Sequence, residues 1–567
     1  MRLPILQDIQ TQQTVVSAFG GLNHTPSVQE NQFFDMQNMT SDQFPLLAPR
    51  QPYARVKDLP FAQGLYAHNA LCWAAAGGFY YDGVKKGTVS PGEKQIVGMG
   101  SYITVWPDKK MYKTETGEWM DLEARDEEAY IPHKDDSGNW YESLLQYVWN
   151  GKAEIPCLNI KAKHGLFRQG DGIFVHYIAR ISTDPGDPDG WYKEDRSFST
   201  IVSIFQEGES GGLDDLYIPY DERFADIYRD AADFGSEYLT IERPVPDMDF
   251  VCESGNRLWG CSSAKHEIYA SALGDPFNWN VFEHTSQDSY VLPVGSTGDF
   301  TGVCAYGGGV LFFKEDGIHR IYGTRPTNYQ LTVTACPGVQ AGCHKSLCTL
   351  NETVFYKSPK GVCAYSGGLP AVISAELGDV SYSRAVGGEF QGKYYLSMLA
   401  APHACYPDDM RQAHWELLVY DTEKGLWHKE APLEVSFFAK FNNRLYFVDE
   451  QDRGLYITRP DSQYPAADRV PWYVQTGKLL SALPGNKTVS RLQLKVSLFS
   501  QSRLCIQLRY DTAEEWQTVY QAVSRRKMTY TIPVIPRRCD HFELRISGVG
   551  DVRIHSIARL TEQGSEL

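Results

Sequence analysis

No stretch of this 567-residue chain approaches the roughly 20 consecutive apolar residues that a membrane-spanning helix requires. The N-terminus, Met1-Arg2-Leu3-Pro4, lacks the apolar core of a secretory signal, so synthesis and use without Sec export are expected. No basic arm is present either. Arg525-Arg526-Lys527 and Arg537-Arg538 are short and fall between strand-like segments. With 70 acidic against 54 basic residues the formal net charge is -16, which argues against a protein that grips nucleic acid by counterion release. Long amphipathic helical windows are scarce, Asp221 to Asp233 being the best short candidate. The 12 cysteines include no CxxC pair, and most sit in apolar runs such as Leu71-Cys72-Trp73, Val303-Cys304-Ala305 and Leu504-Cys505-Ile506. Reduced, buried thiols in a cytosolic setting are therefore expected rather than a disulfide framework.

What the chain has in plenty is aromatic residues (13%) and turn formers, with 49 Gly and 30 Pro. Aromatic side chains suit pleated, half-buried surfaces. A strand-loop-strand phrase recurs. Asn256-Arg257-Leu258-Trp259 is followed by Ile268-Tyr269, and Asn443-Arg444-Leu445-Tyr446-Phe447 by Leu455-Tyr456-Ile457. Val310-Leu311-Phe312-Phe313 passes through Lys314-Glu315-Asp316-Gly317 into Ile318-His319-Arg320-Ile321-Tyr322. Each reads as a β-hairpin, and hairpins repeated at this spacing predict an all-β protein built on a β-propeller. About seven blade-like units are expected, with six or eight still open.

The pattern predicts five regions. Residues 1–55 form an extended N-terminal hook without strong periodicity. Residues 56–123 hold the first blades, including Ala70-Leu71-Cys72-Trp73 and Tyr102-Ile103-Thr104-Val105-Trp106. The grammar breaks over 124–245, read as an insertion carrying a small β-barrel at about 157–243, where insertions into loops are tolerated. Within it, Leu166 to Val175 reads as a strand pair with a tight turn, Thr200-Ile201-Val202-Ser203-Ile204 and Tyr238-Leu239-Thr240-Ile241 as further strands, and Asp184 to Asp195 as an acidic loop. Residues 246–471 resume the blades. Residues 472–567 alternate apolar and polar with period two, as in Leu492-Gln493-Leu494-Lys495-Val496 and Phe542-Glu543-Leu544-Arg545-Ile546, which predicts a C-terminal β-sandwich.

Chemistry-bearing patterns are weak. Asp184, Asp187 and Asp189 before Gly190 approach a calcium loop, but Pro185 and Pro188 break the alternation and Asp195 stands where a bidentate Glu is needed. Cys336, Cys343, His344 and Cys348 are the densest Cys/His group, at gaps too irregular for paired zinc knuckles. Gly307-Gly308-Gly309 enters an aromatic strand rather than a helix, so a turn is expected and not a phosphate loop. No HExxH motif occurs, and no carboxylate pair stands out for glycoside hydrolysis. No catalytic, cofactor-binding or metal-binding residue is expected, and the chain is read as not an enzyme.

Two stretches carry a family likeness. The first runs Val15-Val16-Ser17-Ala18-Phe19-Gly20-Gly21-Leu22-Asn23, then Phe34-Asp35-Met36-Gln37-Asn38-Met39-Thr40-Ser41-Asp42 and Phe44-Pro45-Leu46-Leu47-Ala48-Pro49-Arg50. The second runs Asn256 to Cys261 and Ile268-Tyr269-Ala270-Ser271-Ala272-Leu273-Gly274-Asp275-Pro276-Phe277-Asn278-Trp279. Both resemble structural proteins of tailed bacteriophages and of prophages of gut bacteria. The order of hook, propeller and terminal sandwich is similar to the packaged-DNA stabilisation or tail-nozzle proteins of short-tailed phages. The inserted barrel departs from the simplest of these.

The resemblance implies a virion tail component, a nozzle or hub ring of identical subunits, often six, below the portal and adaptor. Genomic DNA would pass through its lumen without specific binding, which a charge of -16 per subunit would favour. A hook without periodicity does not pack alone, so it is expected to order along the propeller or a neighbouring subunit. Its expected contact residues are Phe19, Leu22, Phe34, Met36, Met39, Phe44 and Arg50. The alternative is an adhesin that engages a host-surface glycan through propeller, barrel or sandwich, with Trp516 among the aromatics a sugar could stack on. A propeller hydrolase or lyase is the third class.

Overall fold

Two-residue turns shape several of the hairpins. Ala76-Gly77, Gly307-Gly308, Asn351-Glu352, Gln391-Gly392 and Asn442-Asn443 each place both residues at positive φ, between 48° and 75°. That is the geometry whose twist matches paired strands, and Gly or Asn adopts it at least cost. The Gly307-Gly308-Gly309 triplet is accordingly a hairpin turn, with Tyr306 paired opposite Gly309.

A computed structural model describes the chain except residues 1–10, 133–144, 181–191, 207–211, 221–237, 284, 404–411, 467–468, 480–486, 500, 512, 524–526, 533–537 and 564–567. Among the described residues there is no α-helix, and the fold is all-β as expected. The helix candidate Asp221 to Asp233 and the calcium-like aspartates Asp184, Asp187 and Asp189 lie outside the described residues. The 11 cysteines among the described residues are free thiols.

Seven four-stranded sheets in the described residues follow simple meander order, which is the construction of a propeller blade. Six draw all four strands from consecutive sequence. The seventh joins Val435–Phe441, Arg444–Asp449 and Gly454–Ile457 to the N-terminal strand Ala54–Asp58, with Ile457 opposite Ala54. The β-propeller class read from the hairpins holds.

The chain divides into two compact units, Met1–Val84 with Glu315–Gly317 and Ala335–Leu567, and Lys85–Lys314 with Ile318–Thr334. In the first, Trp73, Tyr446, Val448, Leu455 and Ile457 form a buried cluster around the sheet completed by Ala54–Asp58. In the second, Trp259, Ile268, Phe312 and Ile321 do the same.

The insertion is one antiparallel sheet of eight strands starting at Ala124–Tyr130. The strands at the two ends of its path, Tyr192–Thr200 and Ser203–Gln206, are joined by Ile201 and Val202 alone. Six inter-strand spacings span about 29 Å, whereas three Cα steps reach about 11 Å. The sheet must therefore curl into a barrel, and Leu158, Ile160, Phe167, Ile173, Leu216 and Ile241 fill its interior. One local expectation is corrected. Leu166 to Asp171 is turn and loop, and the strand begins only at Gly172, because Gly170 sits at φ 90° and ends any pairing. Ile201 and Val202 likewise lie between strands rather than within one.

The C-terminal sandwich has two five-stranded sheets, and the N-terminal segment supplies an edge strand to each. Thr11–Val16 pairs with Val552–Gln563, and Asp35–Gln37 pairs with Pro471–Gln475. The described part of the N-terminal region, residues 11–55, is thus not only a hook: it supplies strands to the sandwich and, from Ala54, to a blade. Leu492, Leu494 and Val496 of one sheet, and Leu504, Ile506, Leu508, Leu544 and Ile546 of the other, are buried at period two, as the inner faces of a sandwich require.

Candidate interaction site

The edge strand Leu426–Ala431 of the sheet 382–431 has every residue buried, although it carries His428, Lys429 and Glu430 in succession. The hook is the reason: it covers this edge, as exposed strand edges require. Leu22 N donates to Trp427 O at 2.7 Å and Asn38 N to Glu430 O at 2.6 Å.

Charges on the edge are met one by one from the hook. Lys429 Nζ donates to Asp35 Oδ1 at 2.5 Å and to Glu416 Oε1 at 3.2 Å. Tyr473 of the sandwich donates to Asp35 Oδ2 at 2.6 Å, and Tyr382 to Glu416 Oε2 at 3.0 Å. Side chains of Lys429, Asp35 and Glu416 are 4%, 4% and 1% exposed, so this triad is dry. Around it, Tyr53 donates to Glu430 at 2.6 Å, Ser41 to Asp421 at 2.5 Å and Lys393 to Asp42 at 2.5 Å. Burial opposes ionisation of Glu416, but Lys429 and His414 overcome it and hold its carboxyl well below the usual range. Burial likewise opposes the Lys429 cation, and Asp35 and Glu416 raise its pKa well above the ordinary value.

This joint should make the first unit acid-sensitive. Burial holds the imidazoles of His24 and His428 below their ordinary pKa, despite nearby carboxylates. Glu416, Glu430, Asp42 and Asp421 are also depressed: burial raises each, and the cations and donors around them outweigh it. A depressed folded pKa gives stability above the unfolded value that is lost as pH falls. His414 is raised by its hydrogen bond to Glu416 and contributes in the opposite sense, partly offsetting the two buried imidazoles. The thermal midpoint should therefore decline from about pH 6.5 downward and fall steeply below about pH 4. Scanning calorimetry from pH 8 to 3.5 checks this.

Gly21 shows how closely the hook fits. It has φ 82°, and a Cβ there would lie 2.4 Å from Trp427 O. Gly21→Ala should cost about 1–3 kcal/mol. Gly20→Ala, where a Cβ would first meet the movable Gln32 side chain at 3.0 Å, should cost less in the same thermal-unfolding assay.

A second charged joint fixes the barrel to the blade 250–293. Asp171, fully buried, pairs with Arg243 and accepts Arg168 Nη2 at 3.0 Å. Arg168 continues to Asp275 Oδ1 at 3.2 Å, Asn278 Nδ2 donates to Asp275 Oδ2 at 2.7 Å, and Asn278 Oδ1 accepts the Gly172 amide at 2.9 Å. The Phe277 ring lies 3.5 Å from the Arg168 guanidinium and 5.1 Å from that of Arg243.

Of the expected hook contacts, Phe19, Leu22, Met36 and Met39 are buried against this same chain, so their packing needs no second subunit. Phe34 is half-buried with its ring edge-on to His24, and Arg50 lies 3.6 Å from the Tyr53 ring centroid while donating to Asn38 Oδ1. Phe44, 44% exposed, is the outward-facing member. Sequence reading missed Lys429, Glu416, Tyr473, Asp171, Arg168 and Arg243. The Cys/His group yields no metal geometry: no set of three or more His, Cys, Asp or Glu is placed for one among the described residues.

Two clefts accompany the first joint. One of about 910 Å³ is lined by His24, Phe34, Glu315, Lys357, Asp379 and His403, with Lys357 donating to Gln340 Oε1 at 2.6 Å. The other, about 670 Å³, opens on the outer face of the sandwich sheet that receives Asp35–Gln37, and includes Gln37, Tyr473, Gln507, Gln521 and Arg545. Nearby, Trp516 is half-buried, with the guanidinium of Arg509 4.7 Å from its ring centroid.

No protein-family model matches the chain, and no curated protein sequence matches it. Solved structures similar to it include the exo-β-1,3-galactanase of Phanerochaete chrysosporium, at 10% identity over 53% of this chain and 92% of that one, TM-score 0.20. A Trypanosoma rangeli sialidase is similar at 9% identity over 96% of this chain and 95% of that one, TM-score 0.22. A bifunctional GH43-CE protein of Bacteroides eggerthii is similar at 9% identity over 56% and 62%, TM-score 0.20. The expectation that the chain is not an enzyme is corrected by this finding, since the similar structures include a galactanase and a sialidase. At such identities the likeness concerns the fold, and no catalytic residue is transferred.

Proposed function

We propose that this chain is a structural subunit of a bacteriophage tail, a nozzle or hub ring below the portal and adaptor that forms part of the DNA-ejection channel. One observation carries the reading. Both stretches that resemble phage structural proteins supply the buried joints, Asp35, Asn38, Ser41 and Asp42 in the first and Asp275, Phe277 and Asn278 in the second. Buried, mutually satisfied ion pairs add little net stability but fix one relative placement of the parts they join, which suits a wall component. The partners are further copies of the chain, in a ring of six, together with portal, adaptor and other tail proteins. Of the expected contact residues, exposed Phe44 is the one placed to meet a neighbour. DNA passes without specific binding, because a formal charge of -16 per subunit disfavours phosphate adhesion. Gold-labelled antibody against the chain, applied to purified virions, should decorate the tail axis next to the head. Labelling confined to fibre tips, or absence of the chain from virions, would overturn the reading.

A second reading, engagement of a host-surface glycan, is favoured by the amide- and guanidinium-lined cleft on the sandwich. The two are compatible in one tail protein, and the comparisons with known structures decide neither.

A further inference from the structure

The cleft on the sandwich reverses the charge balance of the chain. Its lining includes Arg503 and Arg545 and no acidic residue, in a protein with 70 acidic and 54 basic residues. Arg545 is the telling member. Its guanidinium is near two aromatic rings, 4.7 Å from the Tyr473 centroid and 5.4 Å from that of Trp516. Its neighbour Arg509 stacks on the same Trp516 but is matched by Glu543, Nε to Oε2 being 3.0 Å. Arg545 forms no ion pair among the described residues, and its buried Nε has no hydrogen-bond partner there. A half-buried guanidinium near two aromatic rings, with no anion among the described residues, is set for a planar carboxylate.

The rest of the lining narrows the ligand. Gln37, Gln507, Gln521 and Ser547 come from four different strands and offer paired donors and acceptors, as neighbouring hydroxyl groups require. They are not the row of main-chain groups that an added peptide strand uses. Two arginines are too few to hold a polyphosphate backbone against the charge of the chain. The volume, about 670 Å³, suits a small ligand or the end of a larger one.

We infer that this cleft binds a carboxylate-bearing saccharide, with Arg545 receiving the carboxylate and the amides of Gln37, Gln507 and Gln521 receiving ring hydroxyls. The inference rests on the glycan reading above and names its site and ligand class.

The test uses the full-length chain and calorimetric titration with oligogalacturonate, with the matching neutral galactan oligomer and with poly-glutamate. Oligogalacturonate should bind at least about tenfold more tightly than either competitor, as one charge-assisted contact allows. Arg545→Gln should lose about tenfold or more with an unchanged thermal midpoint, Arg545→Lys should recover part of it, and Arg503→Gln should lose less. Equal binding of the neutral oligomer, an unaffected Arg545→Gln, or preference for poly-glutamate would each overturn the inference. A broad array of neutral and acidic glycans separates the levels. Binding of neutral glycans that ignores Arg545 defeats only this site, whereas no binding to any glycan defeats the glycan reading itself.

Discussion

Lys429→Ala should destabilise the first unit by about 3–5 kcal/mol, the scale for removing one partner of a buried ion pair. The variant leaves Asp35 and Glu416 facing each other with side chains 4% and 1% exposed and no cation between them. The folded pKa of Glu416, which burial pushes up and chiefly Lys429 now holds down, would then rise above the unfolded range. A raised carboxylate pKa gives stability that is present below the unfolded value and lost as pH rises, so the deficit should be larger at pH 8 than at pH 4.5. That trend opposes the wild-type profile. Calorimetry at both pH values reads it, and limited proteolysis should show faster cleavage within residues 17–50. Combining Lys429→Met with Asp35→Asn and Glu416→Gln should recover much of the loss, because all three charges leave together.

Asp171→Asn is the counterpart in the second unit. Asp171 is completely buried, and the change leaves Arg243, itself 4% exposed at the side chain, without its carboxylate. Burial already pulls the Arg243 pKa down, with Asp171 the first group opposing it. A loss of about 3–5 kcal/mol is expected. Hydrogen exchange should accelerate at Leu122, Arg243 and Asp275 to Trp279 while the barrel interior around Ile160 and Ile241 stays protected. Arg168→Gln should be milder, since its side chain is 38% exposed and shares Asp275 with Asn278.

The blades and sandwich were legible because local rules govern them. Hairpin turns at Asn442-Asn443 and Gly307-Gly308 announce themselves by residue type, and Leu492 to Leu498 alternates at period two. The barrel was legible in outline only. Gly170-Asp171-Gly172 reads as a turn, but nothing local says that Asp171 takes two arginines. The hook defeated period analysis because its residues answer to different elements in turn: Leu22 to Trp427, Asp35 to Lys429 and Tyr473, Ser41 to Asp421. Leu426–Ala431 misleads in the opposite way. Its three successive titratable residues suggest a wet edge, and only the covering hook, hundreds of residues away in sequence, makes it dry. Arg545 reads as a polar position of a two-faced strand, and its lack of an anion among the described residues is a property of several strands together.

The central claim is that these joints build the wall of a ring. Electron microscopy of the purified chain and of its virion tests it most directly. The account predicts closed rings of one subunit type, six per ring, that match a layer of the tail beside the head. A chain that stays monomeric at all concentrations, together with a virion whose tail axis contains no such layer, would contradict it.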